Sequence, residues 1–302
     1  MKIGFVILHY NTVRETKACV QSITERIDTP DFEIVIVDNA SPNGSGRELA
    51  AFYEGKEHVH VLLHTSNDGF ARGNNVGYTY ARNVLQCVFI CCLNNDTELI
   101  SRDFCAEIER EYARSTFAVC GPRIILRDGS DNYVYMQMPD RAELEDELRE
   151  YRRMLRLMKV HLDHFVTAWK LLYDRILRLR GKKLRFRYEN CYVFSGTEER
   201  HTGILLHGCC LIFSPVYIER FDTAFDPRTF LYREEEVLWL RCRKENLMTV
   251  YDPEIMIRHL EDAATNSIVR TKRETERNRL KNLADSIEVE LAVLDEMGEK
   301  HA

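Results

Sequence analysis

The chain has 302 residues, of which 45% are hydrophobic and 30% are charged, and its formal net charge at pH 7 is −6. This composition is typical of a globular chain and excludes disorder along the whole length. The negative net charge gives no electrostatic reason to expect nucleic acid as a partner. No run reaches the roughly 18 apolar residues of a membrane span, and the first apolar run is too short for a signal peptide. We therefore expect a cytoplasmic protein of one large domain or two small ones.

The ten cysteines raise the question of disulfides or zinc. No Cys-x-x-Cys pair occurs, which argues against a zinc ribbon. Cys91, Cys92, Cys209 and Cys210 lie inside apolar runs, where cysteine behaves as a small hydrophobic residue. We predict reduced, mostly buried thiols, as is usual in the cytosol.

Residues 1–125 alternate between short apolar runs and amphipathic stretches, which predict buried strands and helices respectively. The predicted strands are Ile3–Leu8, Glu33–Val37, Val59–Leu63, Val88–Leu93 and Phe117–Cys120. The predicted helices are Val13–Ile27, Arg47–Tyr53, Ala71–Val84 and Phe104–Ala113. This alternation predicts an α/β fold with an open, mostly parallel, doubly wound sheet that has helices on both faces.

Residues 140–185 interrupt the alternation. This stretch is highly charged, its second half has apolar residues at near-helical spacing, and it then becomes basic. The pattern predicts a helical insertion of one long helix or two shorter ones. Two interpretations stay open: a solvated helical hairpin packed on the domain, or a cationic amphipathic surface that makes peripheral contact with a lipid headgroup or a lipid-linked acceptor.

The chain returns to short elements after the insertion. Gly203–Phe213 is apolar and strand-like, and Glu234–Lys244 has the pattern of a helix. Met248–Tyr251 and Ile255–Ile257 predict two further strands. Residues 265–298 predict a charged C-terminal helix or helix pair.

Four polar clusters follow the first four strands, at the edge where open α/β sheets bind ligands. They are His9-Tyr10-Asn11, Asp38-Asn39, the segment 67–75 and Asn94-Asn95-Asp96. Taken singly, each has a structural alternative: Asp38 as a turn former, the Asn94 cluster as a helix cap, and Gly69 and Gly73 as turn and packing glycines. Together they favour a long, polar ligand. The dinucleotide-binding motif Gly-x-Gly-x-x-Gly does not follow the first strand, and the chain has no P-loop.

These clusters carry a family resemblance. The order Ile7-Leu8-His9-Tyr10-Asn11, Val37-Asp38-Asn39-Ala40-Ser41, 69–75 and Leu93–Asp96 resembles inverting family-two glycosyltransferases of GT-A fold, in their rhamnosyltransferase-like branch. The segments 208–212, 221–222 and 230–236, the pair Asp252-Pro253 and His259 are similar to the acceptor-side half of that branch. The resemblance covers about residues 1–130 and 203–266, and the insertion lies outside it.

The resemblance implies a donor site for a UDP- or dTDP-sugar. Asp38 would hydrogen-bond the uracil or thymine edge, and His9, Tyr10 and Asn11 would line the base and ribose. Arg72 and Asn74 would lie near the nucleotide or its diphosphate. The remaining residues that we assign to donor binding on this basis are Asn39, Gly69, Asn94 and Asn95.

The segment Asn94-Asn95-Asp96 occupies the place of the family's Asp-x-Asp motif. The resemblance implies that Asp96 meets a divalent cation, Mn²⁺ or Mg²⁺, that bridges the two phosphates. A hard cation prefers oxygen ligands and neutralises charge on the departing diphosphate. His259 is a candidate second ligand, with a partly exposed strand-end histidine as the alternative. Asn at the first motif position leaves a single carboxylate, so we expect modest metal affinity.

Inverting transfer needs a base that takes the proton of the attacking acceptor hydroxyl. In the family this base is a carboxylate of a Glu-Asp pair at a helix start, and here the pair reads Glu234-Glu235. We favour Glu235 and then Glu234. The alternative is structural, because acidic residues in the first turn stabilise a helix through its dipole.

The resemblance divides the chain into four segments. Residues 1–130 form the nucleotide-sugar half, 131–200 the helical and partly basic insertion, 201–266 the acceptor-side half, and 267–302 a C-terminal helical segment. The expected acceptor is a glycan or a lipid-linked molecule in polysaccharide biosynthesis, and a homo-oligomer is left open. Two alternatives remain: a sugar-phosphate nucleotidyltransferase, although a Gly-rich basic loop is missing, and a non-catalytic sugar-nucleotide-binding protein.

Overall fold

The computed structural model describes residues 1–132, 138–161, 197–260 and 272–298. In these residues nine strands form one sheet in the order β3-β2-β1-β4-β8-β6-β9-β5, with β7 also paired to β9. The strands are β1 (Ile3–His9), β2 (Phe32–Asp38), β3 (Val59–Leu63), β4 (Phe89–Asn94), β5 (Thr97–Leu99), β6 (Val119–Leu126), β7 (His201–Thr202), β8 (Cys210–Phe213) and β9 (Thr249–His259).

Eight helices are described in the same residues. They are α1 (Val13–Arg26), α2 (Ser45–Tyr53), α3 (Gly69–Asn83), α4 (Phe104–Ser115), α5 (Arg141–Lys159), α6 (Pro215–Arg220), α7 (Glu234–Lys244) and α8 (Lys272–Glu296). The cores show that α1, α2 and α4 cover one face of the sheet and that α3, α6 and α7 cover the other. The predicted α/β fold with helices on both faces is therefore confirmed.

Strands β3, β2, β1 and β4 are mutually parallel, as their continuous apolar runs predicted. Beyond β4 the sheet is mixed, because β8 runs antiparallel to both β4 and β6, while β6 and β9 are parallel. Short β5, which follows β4 after a two-residue turn, pairs antiparallel with β9. The parallel part of the sheet is therefore its first four strands along the chain.

Two sequence-based boundaries were wrong. The strands expected at 248–251 and 255–257 are one strand, β9, whose register on β6 shifts between Pro122 and Arg123. The polar Asp252-Pro253 pair interrupts the apolar pattern there, but the strand continues past it. Of the apolar stretch 203–213, only Cys210–Phe213 forms a strand.

Helices α5, α7 and α8 pack together around a third, separate core. Its fully buried members are Leu144, Leu148, Val237, Leu240, Ala284, Ile287, Val293 and Leu294. A capping box begins α5, because the Asp140 carboxylate accepts the Glu143 N–H and the Glu143 carboxylate accepts the Asp140 N–H. The N-terminal part of the predicted insertion is thus a helix packed on the C-terminal helix.

The basic part of that insertion, residues 162–196, lies outside the described residues. The two interpretations given for it, solvated hairpin or lipid-facing surface, therefore stay predictions. In the part of the chain that the structure does describe, no helix combines the length and the apolar character needed to cross a bilayer.

The nine described cysteines are free and buried, which confirms the expectation of buried thiols for them. Burial raises their pKa values where a shift is resolved, so their reactivity as thiolates is suppressed. The Sγ atoms of Cys91 and Cys210 lie 3.6 Å apart across β4 and β8. Cys191 lies outside the described residues.

Close packing of α3 on the sheet depends on Gly77. A Cβ atom added there would lie 2.4 Å from Val6 Cγ1 and 2.9 Å from Val37 Cγ2, both on stiff β-branched side chains of the sheet. We expect Gly77→Ala to lower the free energy of unfolding by about 1–3 kcal/mol, because neither valine can turn away. Urea titration of wild type and variant measures this.

The matched control is Gly121→Ala on β6, where the added Cβ would meet the flexible end of Leu206 at 2.9 Å. We expect a smaller loss there. Equal losses at the two positions would contradict the argument from side-chain stiffness.

Candidate functional site

The ends of β1, β2 and β4 bring three of the polar clusters together. In the sheet register His9 pairs with Asp38, and Leu8 pairs with Asn94. The three strands are parallel, so their carboxyl ends lie side by side at one edge. The expected convergence of these clusters is thus present in the backbone.

His9 is fully buried, and both ring nitrogens contact protein groups. Nδ1 lies 2.7 Å from Thr16 Oγ1 on α1, and Nε2 lies 2.8 Å from Ser45 Oγ at the start of α2. Burial lowers the pKa of the imidazole, against the attraction of nearby Asp38. His9 therefore ties β1 to two helices as a neutral side chain.

Asn11 has a left-handed backbone with φ of 66°. Its N–H donates to Ser41 Oγ at 2.9 Å, and its carbonyl accepts from Asn43 Nδ2 at 2.9 Å. These bonds join the loop after β1 to the loop after β2. The side-chain oxygen of Asn11 is buried without a hydrogen-bond partner, and neighbouring Tyr10 is half-buried.

Asp38 is buried at the end of β2, where its Oδ1 accepts the Ser41 N–H at 3.2 Å. Gly46, in the first turn of α2, leaves the space that Asp38 occupies, since a Cβ there would lie 2.1 Å from Asp38 Oδ2. Next to it, Asn39 accepts from the Asp68 N–H and donates to Gly69 O, which fixes the loop before α3.

The residues predicted on α3 bind other parts of the protein. Gly69 has φ of 82° and sits against Phe230, whose carbonyl oxygen would be 2.1 Å from an added Cβ. Exposed Arg72 donates through Nε to Pro227 O at 2.8 Å, and Asn74 donates to Phe70 O at 3.0 Å. The Gly69 and Arg72 contacts join α3 to residues 227–230, whereas the Asn74 bond lies within α3 itself.

Asn75 is a further polar residue on α3, and sequence reasoning gave it no role. Its amide nitrogen donates to Phe225 O and its oxygen accepts the Phe225 N–H, both at 2.9 Å. It is buried, so this paired contact fixes the 225–230 loop on α3. Its place in the 69–75 motif was the signal in the sequence, but the motif did not reveal this contact.

The turn Asn94-Asn95-Asp96 connects β4 to β5. Asn95 is buried and donates to Thr12 and Thr16, which orients the turn toward α1. Because Thr97 pairs with His259 across β5 and β9, Asp96 meets that histidine, with Oδ1 3.2 Å from Nε2. The His259 Nδ1 atom is buried without a hydrogen-bond partner.

Asp96 and His259 are two donors of the kinds that bind divalent cations. Within the described ranges, no group of three or more His, Cys, Asp or Glu side chains is arranged to hold a metal ion. The pair therefore fits a cation only if other ligands, such as phosphate oxygens, complete the coordination.

His207 extends this cluster, although no spacing rule indicated it. Its ring lies 6.0 Å from that of His259, and its Nδ1 accepts the Cys209 N–H at 3.1 Å. Burial, with a smaller contribution from His259, lowers the pKa of His207 to about 4. This ring is therefore neutral near pH 7.

The three glutamates at the start of α7 face different surroundings. The Glu235 carboxylate lies over Gly208, where an added Cβ would be 3.3 Å from Oε2. Gly208 precedes Cys209, whose carbonyl accepts the Asn94 N–H at 2.8 Å. Glu235 is thus the glutamate placed beside the end of β4.

Burial raises the pKa of each of these glutamates. For Glu235 the pKa lies well above its usual value, from burial first and then from Glu236 and Glu234. Burial raises the pKa of Glu234 to about 8, and its Oε1 has no hydrogen-bond partner. The α7 start therefore combines a helix dipole, which favours anions, with desolvation, which opposes them.

Comparison with known proteins gives a family match and several likenesses. The family described as glycosyl transferase family 2 matches residues 5–188. The low-salt glycan biosynthesis hexosyltransferase Agl10 of Haloferax volcanii is 25% identical over 127 residues, which is 42% of this chain and 38% of that protein. The chain thus matches well under half the length of this curated relative.

Solved structures of two glycosyltransferases share the fold. The S. aureus TarS 1-349 complex with UDP has a TM-score of 0.52 at 13% identity, covering 96% of this chain and 65% of that one. GalNAc-T7, solved with UDP, GalNAc and Mn²⁺, has a TM-score of 0.56 at 12% identity, covering 86% and 44%. At such identities the likeness shows the fold alone, which is the GT-A fold that the sequence resemblance implied.

The family match spans more than half of the residues, and within it β1, β2 and β4 end side by side at one edge of the sheet. The chain belongs to glycosyl transferase family 2.

Proposed function

We propose that this chain is an inverting glycosyltransferase that moves a sugar from a UDP- or dTDP-sugar to a glycan or lipid-linked acceptor. The observation that carries the proposal is the position of Glu235 beside the end of β4, the strand that leads into Asp96. One edge of the sheet then has a candidate base next to a candidate diphosphate site.

The proposed donor site lies on the loops after β1 and β2. Asp38 is fixed by its own turn and is available to the base edge of the nucleotide. The unpartnered Asn11 oxygen and half-buried Tyr10 border the same loops. His9 and Asn39 act by holding these loops in place, since their side-chain groups already bond to the protein. Gly69 and Arg72 hold the α3 side in the same way, and Asn74 bonds within α3.

Asp96 and His259 are the residues that would hold a Mn²⁺ or Mg²⁺ ion, with Asn94 and Asn95 shaping the turn that carries Asp96. When bound, such an ion supplies positive charge to the departing diphosphate. The Nδ1 atom of His259 has no hydrogen-bond partner, which leaves a ring nitrogen that could bind the ion. GalNAc-T7, which was solved with Mn²⁺, supports cation use in this fold.

Glu235 is the proposed base. It accepts the proton of the acceptor hydroxyl as that oxygen bonds to the anomeric carbon and the sugar–phosphate bond breaks, which releases the nucleoside diphosphate with inversion. A raised pKa suits this task because the carboxylate then binds the proton more strongly. Glu234 lies next to it and is the second choice.

The acceptor side of the proposal concerns surface or secreted polysaccharide and similar glycans, made from the cytoplasm. The Haloferax hexosyltransferase of low-salt glycan biosynthesis supports this class of product. A lipid-linked acceptor would bring the protein to the inner membrane surface, where the basic part of the 140–185 insertion is the candidate contact.

Nucleotide binding is the first test. We expect isothermal titration calorimetry to show binding of UDP or dTDP that strengthens with Mn²⁺, because the ion completes its coordination with phosphate oxygens. Asp96→Ala should remove the metal dependence and keep residual binding. Absence of binding by both nucleotides, with and without metal, would contradict the donor site.

The base assignment is tested with Glu235→Gln, which removes the proton acceptor and keeps the shape. We expect transfer to fall about 10²–10⁴-fold while UDP affinity is retained. Release of UDP or dTDP from a panel of sugar nucleotides measures turnover, and release of pyrophosphate instead would indicate nucleotidyl transfer. The control is Glu234→Gln, and a larger loss in the control would move the base to Glu234.

The pH dependence follows from the sign of the shift. The base must be ionised to act, so turnover falls as the pH drops through its pKa, and burial has moved that pKa upward. We expect the acid limb of the kcat–pH profile well above 4.5, the usual glutamate value. An acid limb at or below that value would indicate an unperturbed carboxylate.

Gly46 provides a steric test of Asp38. In Gly46→Ala the added methyl displaces the Asp38 carboxylate, so we expect UDP affinity to fall about tenfold, the equivalent of one good hydrogen bond to a charged group. Asp38→Asn gives the comparison for the loss of charge without displacement. Unchanged affinity in both variants would exclude Asp38 from the donor site.

A further inference from the structure

The start of α7 has an unusual backbone for residues that are not glycine. Tyr232 and Arg233, directly before the helix, both have left-handed backbones with φ of 77° and 66°. This conformation is disfavoured for residues with a Cβ and persists only where surrounding contacts hold it. Helix α7 begins at the next residue, so these two residues set the position and direction of the Glu235 side chain.

The contacts that hold this backbone are made by the Arg233 side chain, which is buried. Its Nη2 donates to Glu290 Oε2 at 2.9 Å, its Nε donates to Glu290 Oε1, and its Nη1 lies 3.6 Å from Glu147 Oε2. Glu290 belongs to α8 and is fully buried, and Glu147 belongs to α5 and also accepts from the Tyr151 hydroxyl. A guanidinium paired in this two-point geometry is fixed in orientation as well as position.

The charges around Arg233 do not balance. One guanidinium is surrounded by the carboxyl groups of Glu147, Glu236 and Glu290, all buried. Burial raises the pKa of Glu290 to about 7, against the attraction of Arg233. Apolar side chains are sufficient to stabilise a contact between three helices. The third core already provides such an apolar contact between α5, α7 and α8. The buried ionic contact therefore requires another explanation.

We propose that Arg233 is a positioning residue for the catalytic carboxylate, and that Glu290 and Glu147 act through it. By fixing the guanidinium, α8 and α5 keep residues 232–233 left-handed, and this places Glu235 over Gly208 beside the end of β4. The inference rests on the proposed role of Glu235 as the base. It makes the C-terminal helix, which is far along the chain from the donor motifs, a required part of the transfer machinery.

The test compares Glu290→Gln with Glu288→Gln on the same helix. Glu288 is exposed and pairs with Arg152 of α5, so its variant also removes one α5–α8 ion pair but leaves Arg233 untouched. With the sugar nucleotide that gives the most UDP or dTDP release, we expect kcat to fall about 10- to 100-fold in Glu290→Gln, because small misplacement of a base is costly. UDP affinity should stay at the wild-type value, and Glu288→Gln should match wild type throughout.

A second variant separates positioning from stability. The variant Arg233→Lys keeps a positive charge among the three buried carboxyl groups but loses the two-point guanidinium geometry. We expect its melting temperature and UDP affinity to be kept while kcat falls as in Glu290→Gln.

Three results would overturn the inference. They are wild-type kcat in Glu290→Gln, wild-type kcat in Arg233→Lys, and a parallel loss of kcat, UDP affinity and melting temperature in both. Full activity of Glu235→Gln, or absence of release from every donor by the wild type, would instead overturn the proposed function and this inference with it.

Discussion

The parallel pairing of β1 with β2 and with β4 is the constraint on which the rest of the structure depends. The three strands are buried and hydrogen-bonded in register, so they must end together. Their last side chains and the loops behind them are then forced into one small region. His9, Asp38 and Asp96 are far apart along the chain. The pairing of the strands brings them to the same edge, and no additional contact is needed for this.

The second half of the sheet adds groups that the parallel half lacks. The antiparallel strand β8 brings Gly208 against the end of β4, and β9 brings His259 against Asp96. Antiparallel pairing reverses the chain direction, so residues before β8 and at the end of β9 reach the same edge. The Glu235 carboxylate over Gly208 and the Asp96–His259 pair thereby lie on the two sides of the end of β4, which is why we propose this place for the transfer reaction.

What could be predicted from the sequence depended on local signals. The first four strands are continuous apolar runs, and such runs identify buried parallel strands. Strand β5 has three residues and no pattern of its own, and the Asp252-Pro253 pair hid the continuity of β9. Three contacts join residues that are distant in the sequence: Arg233 with Glu290, His207 with His259, and Asn75 with Phe225. No spacing rule predicts them, because each depends on how separate elements pack.

The two hydrogen bonds between Asn75 and the Phe225 backbone restrict the motion of the loop that contains Phe225. Together with the Arg72 contact to Pro227 and the contact of Phe230 with Gly69, they fasten residues 225–230 to helix α3. A hinge between α3 and this loop would have to break these contacts together, including the two buried Asn75 hydrogen bonds. We therefore expect the 225–230 loop to follow helix α3 in any motion and not to open independently of it.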